Sequence, residues 1–127
     1  MTAAGPVVLV DARNAMRSRW PNLPEDRFLD LTREWAELEG ARLVIVFDGR
    51  APGERVGVHE LDDRTTVVGT GKEIADDWIA ERAREPAQDE ADLWLVTSDR
   101  ELRRRVGDRV ERVIGGGAFV TELESLP

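Results

Sequence analysis

Three stretches of this chain are apolar, save for a closing threonine in the third, rich in β-branched residues, and lead into an aspartate. Residues 7–10 meet Asp11, residues 43–47 meet Asp48, and residues 93–97 reach Asp99 through Ser98. A run apolar at every position suits a strand buried on both faces, whereas a sheet with one wet face needs only alternate apolar residues. Such strands belong to parallel sheets covered by helices on either side.

The segments between them fit that arrangement. Pro24 opens a helix in which Phe28, Leu31, Trp35 and Leu38 recur at spacings of three and four, and Gly40 stands where a left-handed C-cap belongs. An irregular Pro/Gly-containing loop precedes a short third strand over residues 65–68. Gly69 to Gly71 then turns the chain into a helix over residues 73–84. The acidic, Pro86-containing stretch 85–92 reads as a loop. Ser98 and Glu101 have capping-box spacing, so the next helix is expected to start at Ser98. Residues 111–114 make a fifth strand, Gly115 to Gly117 a turn, and residues 121–126 a last helix. Strand and helix alternate throughout. The predicted fold class is α/β, a three-layer α/β/α sandwich around a mostly parallel central sheet.

At 127 residues the expectation is one domain spanning 1–127, with residues 1–6 a short free leader lacking the layout of a secretory signal. No stretch has the apolar length to span a bilayer. The absence of cysteine removes disulfides, thiolate metal sites and a cysteine nucleophile, and makes a reducing cytoplasm the expected location. A formal net charge of −8 argues against indiscriminate nucleic-acid binding. Arginine is nevertheless clustered after strand-like runs, at Arg13, Arg17 and Arg19, at Arg50 and Arg55, and at Arg100, Arg103, Arg104 and Arg105.

In open α/β sheets ligands bind beyond the carboxyl ends of the strands, so Asp11, Asp48 and Asp99 are expected to converge there. Asp76 and Asp77 open a helix, and ~100° between successive residues sends them different ways. With Ile74, Ala75, Trp78, Ile79 and Ala83 as the buried stripe, Asp76 can reach inward while Asp77 faces solvent. Crowded carboxylates take up protons unless a cation intervenes, and hard oxygen ligands suit Mg²⁺ or Mn²⁺. Such a site can activate water and stabilise the oxygens of an in-line phosphoryl displacement. An aspartate after a strand also serves simply as a helix cap or turn residue, a role open to each of these acids taken singly.

Other chemistries have less support. His59, the only histidine, stands in the loop before the third strand and reads as a surface residue, so a histidine pair is unavailable. No nucleophile elbow occurs. Gly69-Thr70-Gly71-Lys72 lacks the first glycine of a phosphate loop, and Glu73 replaces its hydroxyl residue. Trp35, Trp78 and Trp94 fall on core positions, which leaves Trp20, beside Pro21, as a base platform.

Four short motifs in order resemble the NYN domains. Leu9 to Asn14 is similar to their opening "VDGYN", Val46 to Gly49 to their second strand, Ile74 to Ile79 to their "ADD-x-I" helix start, and Val96 to Arg100 to their "VTSD" strand end. Order and spacing fit the YacP-like branch of the PIN-like nuclease superfamily over almost the whole chain, from about Val7 to Leu126. The resemblance implies a PIN-like sandwich and a metal-dependent endoribonuclease leaving a 5′-phosphate. It makes Asp11, Asp76 and Asp99 catalytic and metal-binding, with Asp48 at a further family position that is either a metal ligand or structural. Asn14 would order the first loop and a phosphate. Arg13, Arg50, Ser98 and Arg100 complete the expected substrate contacts. Ala12 replaces the usual glycine and Arg13 an aromatic residue. RNA, single-stranded or messenger, is the expected partner, with no membrane. A ribosome or protein partner stays open, since the chain ends at Pro127, before the C-terminal extension some relatives carry. The alternatives are a binding module for RNA or protein on the same fold, and a structure-specific DNA nuclease.

Overall fold

The computed structural model describes residues 5–85 and 92–127. The expected loop at 85–92 and the expected leader at 1–6 therefore lie mostly outside the described residues. Where the leader is described it is tied down, because the Pro6 carbonyl accepts a 2.9 Å hydrogen bond from the Arg42 N–H.

The apolar runs form strands β1 (Val7–Asp11), β2 (Arg42–Phe47), β4 (Thr65–Gly69) and β5 (Leu93–Val96). With β3 (Gly57–Glu60) and β6 (Arg112–Ile114) they make one six-stranded sheet in the order β3-β4-β2-β1-β5-β6. All neighbours are parallel except β3 with β4. Both faces are dry, which is why the central runs carry no polar alternation. Val8, Val10, Leu43, Ile45, Phe47 and Val96 pack on one side against α1 (Ala12–Arg17), α2 (Glu25–Glu39) and α5 (Gly116–Glu124). Val7, Leu9, Val44, Val46, Leu93 and Leu95 pack on the other against α3 (Ala75–Ala83) and α4 (Arg100–Val106). The predicted α/β/α sandwich is the observed one.

This order places β1 at the centre and makes the connections after β1 and β5 leave to opposite faces. Such a divergence opens a crevice at the carboxyl ends of the two strands. Asp11 and Asp99 stand at its two sides.

Several local expectations are corrected. The segment after β1 is helical, not merely polar: Ala12, Ala15 and Met16 bury one face of α1, and Ala12 needs no glycine because it is already helical. Residues of the expected Pro/Gly loop form β3, and His59 lies in that strand, still exposed, with its ring Nε2 2.8 Å from the Val56 carbonyl. In α2, Gly40 takes the left-handed conformation at φ 69° as expected, but Leu38 is 60% exposed. Ile74 precedes α3 and is 54% exposed, so it does not join the buried stripe. The helix expected from residue 121 begins at Gly116, where a Cβ would stand 3.1 Å from the Ala15 Cα and 3.2 Å from the Ser98 Oγ. Glycine there permits the close approach of α5 to α1.

Candidate active site

Asp11, Asp48, Asp76 and Asp99 line one cleft of about 340 Å³ at the carboxyl edge of the sheet, together with Arg13, Asn14, Arg17, Ser18 and Ser98. Four separate segments deliver the four acids, and each is held differently.

Asp11 ends β1 and is only 4% exposed. Side chains alternate along a strand, so Asp11 shares the side of Val7 and Leu9, the face on which α3 packs. Thr97, wholly buried, donates a 3.0 Å hydrogen bond to Asp11 Oδ2. Burial pushes the Asp11 carboxyl up to about 7; the Thr97 bond opposes this, and the charges of Asp76, Asp48 and Asp99 reinforce it.

Asp99 is the N-cap of α4 and accepts from the N–H groups of Glu101 at 2.8 Å and Leu102 at 3.3 Å. The expected cap, Ser98, does something else. Its Oγ accepts from the Gly116 N–H at 2.8 Å, and its own N–H donates to Asn14 Oδ1 at 2.8 Å. Asn14 therefore orders the loop after β5 as well as lining the cleft. The capping box fails because the Ser98 Oγ is taken by the Gly116 N–H, which leaves the orphan N–H groups of α4 to the Asp99 carboxylate.

Asp76, in the first turn of α3, faces the cleft, while Asp77 turns away to an ion pair with Arg105 at 2.9 Å. The Asp76 and Asp99 carboxyls are hydrogen-bonding neighbours, an arrangement that raises Asp76 and lowers Asp99. Desolvation, that bond, and the charges of Asp99 and Asp48 raise Asp76 to about 6, against the pull of Arg105. Asp99 is pushed up by its own burial, but the Leu102 N–H, the Asp76 carboxyl and the Glu101 N–H outweigh this and hold it below the ordinary value.

Asp48 is exposed, and its Oδ1 accepts a 2.6 Å bond from the Ala75 N–H. It caps α3 from a different loop, a placement favoured by the positive end of the helix dipole. The Gly49 N–H donates to Thr70 Oγ1, which in turn donates to the Glu73 carbonyl, fixing the same junction.

The arginines divide into engaged and free. Arg13 lies 5.7 Å over the Phe47 ring, pairs with Glu25 at 2.9 Å, and donates to the carbonyls of Asp48 and Arg50, so it braces the cleft wall. Arg50 pairs with Glu54, Arg104 with Glu101 and Arg105 with Asp77. Arg17, Arg100 and Arg103 are exposed and have no side-chain partner among the described residues. Trp35 is core, and Trp78 and Trp94 are half-buried against it; Trp20 is 88% exposed.

Sequence reasoning missed Thr97. Its hydroxyl donates to Asp11 and accepts from the Asp99 N–H at 3.1 Å, joining two of the acids. The available signal was a threonine ending an otherwise apolar strand. As the side chains stand, no group of three His, Cys, Asp or Glu among the described residues is arranged to hold a metal ion. The donor chemistry nonetheless fits a hard divalent ion: all-oxygen, and carrying protons that a cation would displace.

The family of YacP-like NYN domains matches residues 8–126. Among solved structures, a point mutant of Rae1 (YacP) from Bacillus subtilis superposes with a TM-score of 0.72 at 21% identity, covering 94% of this chain and 76% of that one. Rae1 (YacP) from Bacillus subtilis without that substitution gives 0.62 at 22% identity, covering 94% and 74%. No curated protein matches. The structural likeness identifies the sandwich as PIN-like. No helix among the described residues is long and apolar enough to cross a membrane.

Proposed function

The chain belongs to the YacP-like NYN domain family of PIN-like nucleases, and from that premise we propose that it is a metal-dependent endoribonuclease of the cytoplasm, acting as a single domain. The observation that carries the reading is the convergence of Asp11, Asp76 and Asp99 on one cleft from three segments of the chain. Asp11, Asp76 and Asp99 would hold Mg²⁺ or Mn²⁺, with Asp48 beside them. When bound, such an ion supplies Lewis-acid stabilisation of the phosphoryl oxygens and favours an attacking hydroxide.

The chain's own residues set the rest. Thr97 fixes the rotamer of Asp11, and the α4 cap fixes Asp99, so two acids enter the cleft pre-oriented. Burial and the neighbouring carboxylates press Asp11 towards its neutral form, a pressure that a bound cation would relieve. Asn14 and Ser98 border the position a phosphate would take, and Arg100 offers a cation at the mouth. RNA is the proposed substrate, cut to leave a 5′-phosphate.

A second reading, a binding module that grips RNA without cutting it, is favoured by one observation: among the described residues the carboxylates, as they stand, are not gathered into a three-ligand set. The deciding experiment is cleavage of end-labelled RNA and DNA with Mn²⁺ or with chelator, comparing wild type with Asp11→Asn and Asp99→Asn. Asparagine caps helices about as well as aspartate, so Asp99→Asn removes charge without unfolding α4. Mn²⁺-dependent cutting of RNA, lost in both variants, supports the enzyme. Binding without cutting supports the module, and a preference for DNA transfers the activity to the other sugar.

A further inference from the structure

We propose that Arg17 and Trp20 form a single-stranded RNA subsite beside the acid cleft, the guanidinium taking a backbone phosphate and the indole a stacked base. For the cleft itself this rests on the ribonuclease reading above.

Three arginines after β1, Arg13, Arg17 and Arg19, look equivalent in sequence. Arg13 is spent on Glu25 and two carbonyls, and Arg19 donates to Thr121 Oγ1 at 2.9 Å and Glu124 Oε1 at 2.8 Å. Arg17 lines the cleft, is exposed, and has no side-chain partner among the described residues. An unpaired cation at the edge of four carboxylates counters the repulsion an RNA backbone would meet there.

Trp20 follows three residues later with 88% of its surface exposed. The chain around it is anchored. Ser18 Oγ donates to the Ala15 carbonyl at 2.6 Å, and Arg19 is fixed on α5 by the two bonds just given. The indole is thus presented from a held backbone. Ser18 lines the cleft, and two residues span at most about 7 Å, so the Trp20 Cα stands within that reach of a rim residue.

Stacking on an exposed indole needs an unpaired base, which a duplex does not offer. A protein partner would call for a contiguous apolar patch. The other large exposed apolar side chains ride elsewhere: Leu38 on α2, Val56 and Val58 at the β3 arm, and Ile74 before α3. An unpaired cation and an exposed ring three residues apart, with no apolar surround, fit a nucleotide strand.

The test measures binding of labelled oligouridylate, and of the same strand carrying abasic positions, to the full chain in chelator, so that no cutting intervenes. Trp20→Ala is expected to weaken binding about ten-fold, with Trp20→Phe restoring most of it. The abasic strand should bind wild type and Trp20→Ala alike. Arg17→Gln should lower the log–log salt slope by roughly 0.7. Unchanged melting temperatures in all three variants exclude misfolding. If Trp20→Ala and Arg17→Gln bind like wild type, or wild type binds no oligouridylate, the subsite is wrong, and in the first case Trp20 is left for a protein contact. Binding that depends on Trp20 without any Mn²⁺-dependent cutting keeps the subsite and rejects the nuclease. Cutting indifferent to Trp20 does the reverse.

Discussion

The Thr97 hydroxyl donates a 3.0 Å hydrogen bond to the buried Asp11 carboxylate, a contact prepared by sheet register. Val10 pairs with Val96, so the next residue on each strand, Asp11 and Thr97, meets its neighbour on the same face. One bond does not offset the burial of a carboxylate surrounded by three others, and Asp11 stays protonated to about pH 7.

This predicts an inverted pH dependence of stability. The folded Asp11 carboxyl sits at about 7 and the unfolded one near 3.8, so the native state binds the proton more tightly. Below pH 3.8 ionisation of Asp11 costs nothing; the cost grows through the window and is complete above 7. Its size is on the order of a few kcal/mol. Asp11→Asn should melt higher than wild type at pH 8 in chelator and nearly alike at pH 4. Thermal melts across that range check it, and equal melting temperatures at pH 8 would show that Asp11 is not buried among charges.

What the sequence disclosed follows from how residues are buried. β1, β2, β4 and β5 were legible because strands covered on both faces must be apolar throughout, and Asp11, Asp48 and Asp99 followed from their ends. Helical geometry separated Asp76 from Asp77. β3 was missed because its Gly57–Glu60 residues form an exposed edge in which Val58 alone is apolar, too little to make a pattern. α1 was missed because its six residues give fewer than two turns of periodicity. The cap went to Asp99 rather than Ser98 because Ser98 is drawn to the Gly116 N–H, a contact across 18 residues that no local pattern encodes.

Asp48 is expected to act through α3. Its carboxylate holds the Ala75 N–H at 2.6 Å, one residue before Asp76. Asp48→Ala should lose that cap, about 1 kcal/mol, and let Asp76 drift, lowering both melting temperature and kcat. Asp48→Asn keeps an acceptor and should retain most of both. A loss of activity in Asp48→Asn as deep as in Asp99→Asn would make Asp48 a metal ligand instead.

The basic helix α4 should contribute unevenly to RNA binding. Arg104 and Arg105 are paired with Glu101 and Asp77, whereas Arg100 is unpaired and adjoins Asp99. Arg100→Glu should weaken binding and reduce the log–log salt slope by roughly 0.7 or more; Arg104→Glu should change the slope little. Salt titrations of both variants decide it, and identical slopes would return the whole helix to the role of a solvated face.

The sharpest comparison is between Asp76 and Asp77, neighbours of equal charge with opposite surroundings. Asp76 faces Asp99, and desolvation and like charge raise it to about 6, so at pH 8 without metal its ionised form is repelled in the native state. Asp76→Asn should therefore raise the melting temperature in chelator. Asp77 pairs with Arg105 on a half-exposed surface, so Asp77→Asn should lower it slightly, by no more than about 1 kcal/mol. The two shifts have opposite signs, which no general change in net charge can produce. Lowering the pH below 4 should abolish the gain in Asp76→Asn, because both states then carry the proton. Mn²⁺ at 100-fold excess over its dissociation constant should stabilise wild type by about 2.7 kcal/mol, since it binds only the folded chain. Asp77→Asn should respond as fully as wild type, and Asp76→Asn much less. Were both variants to shift alike, or Mn²⁺ to leave the wild type unmoved, the acids would not form a metal site and the binding-module reading would take its place.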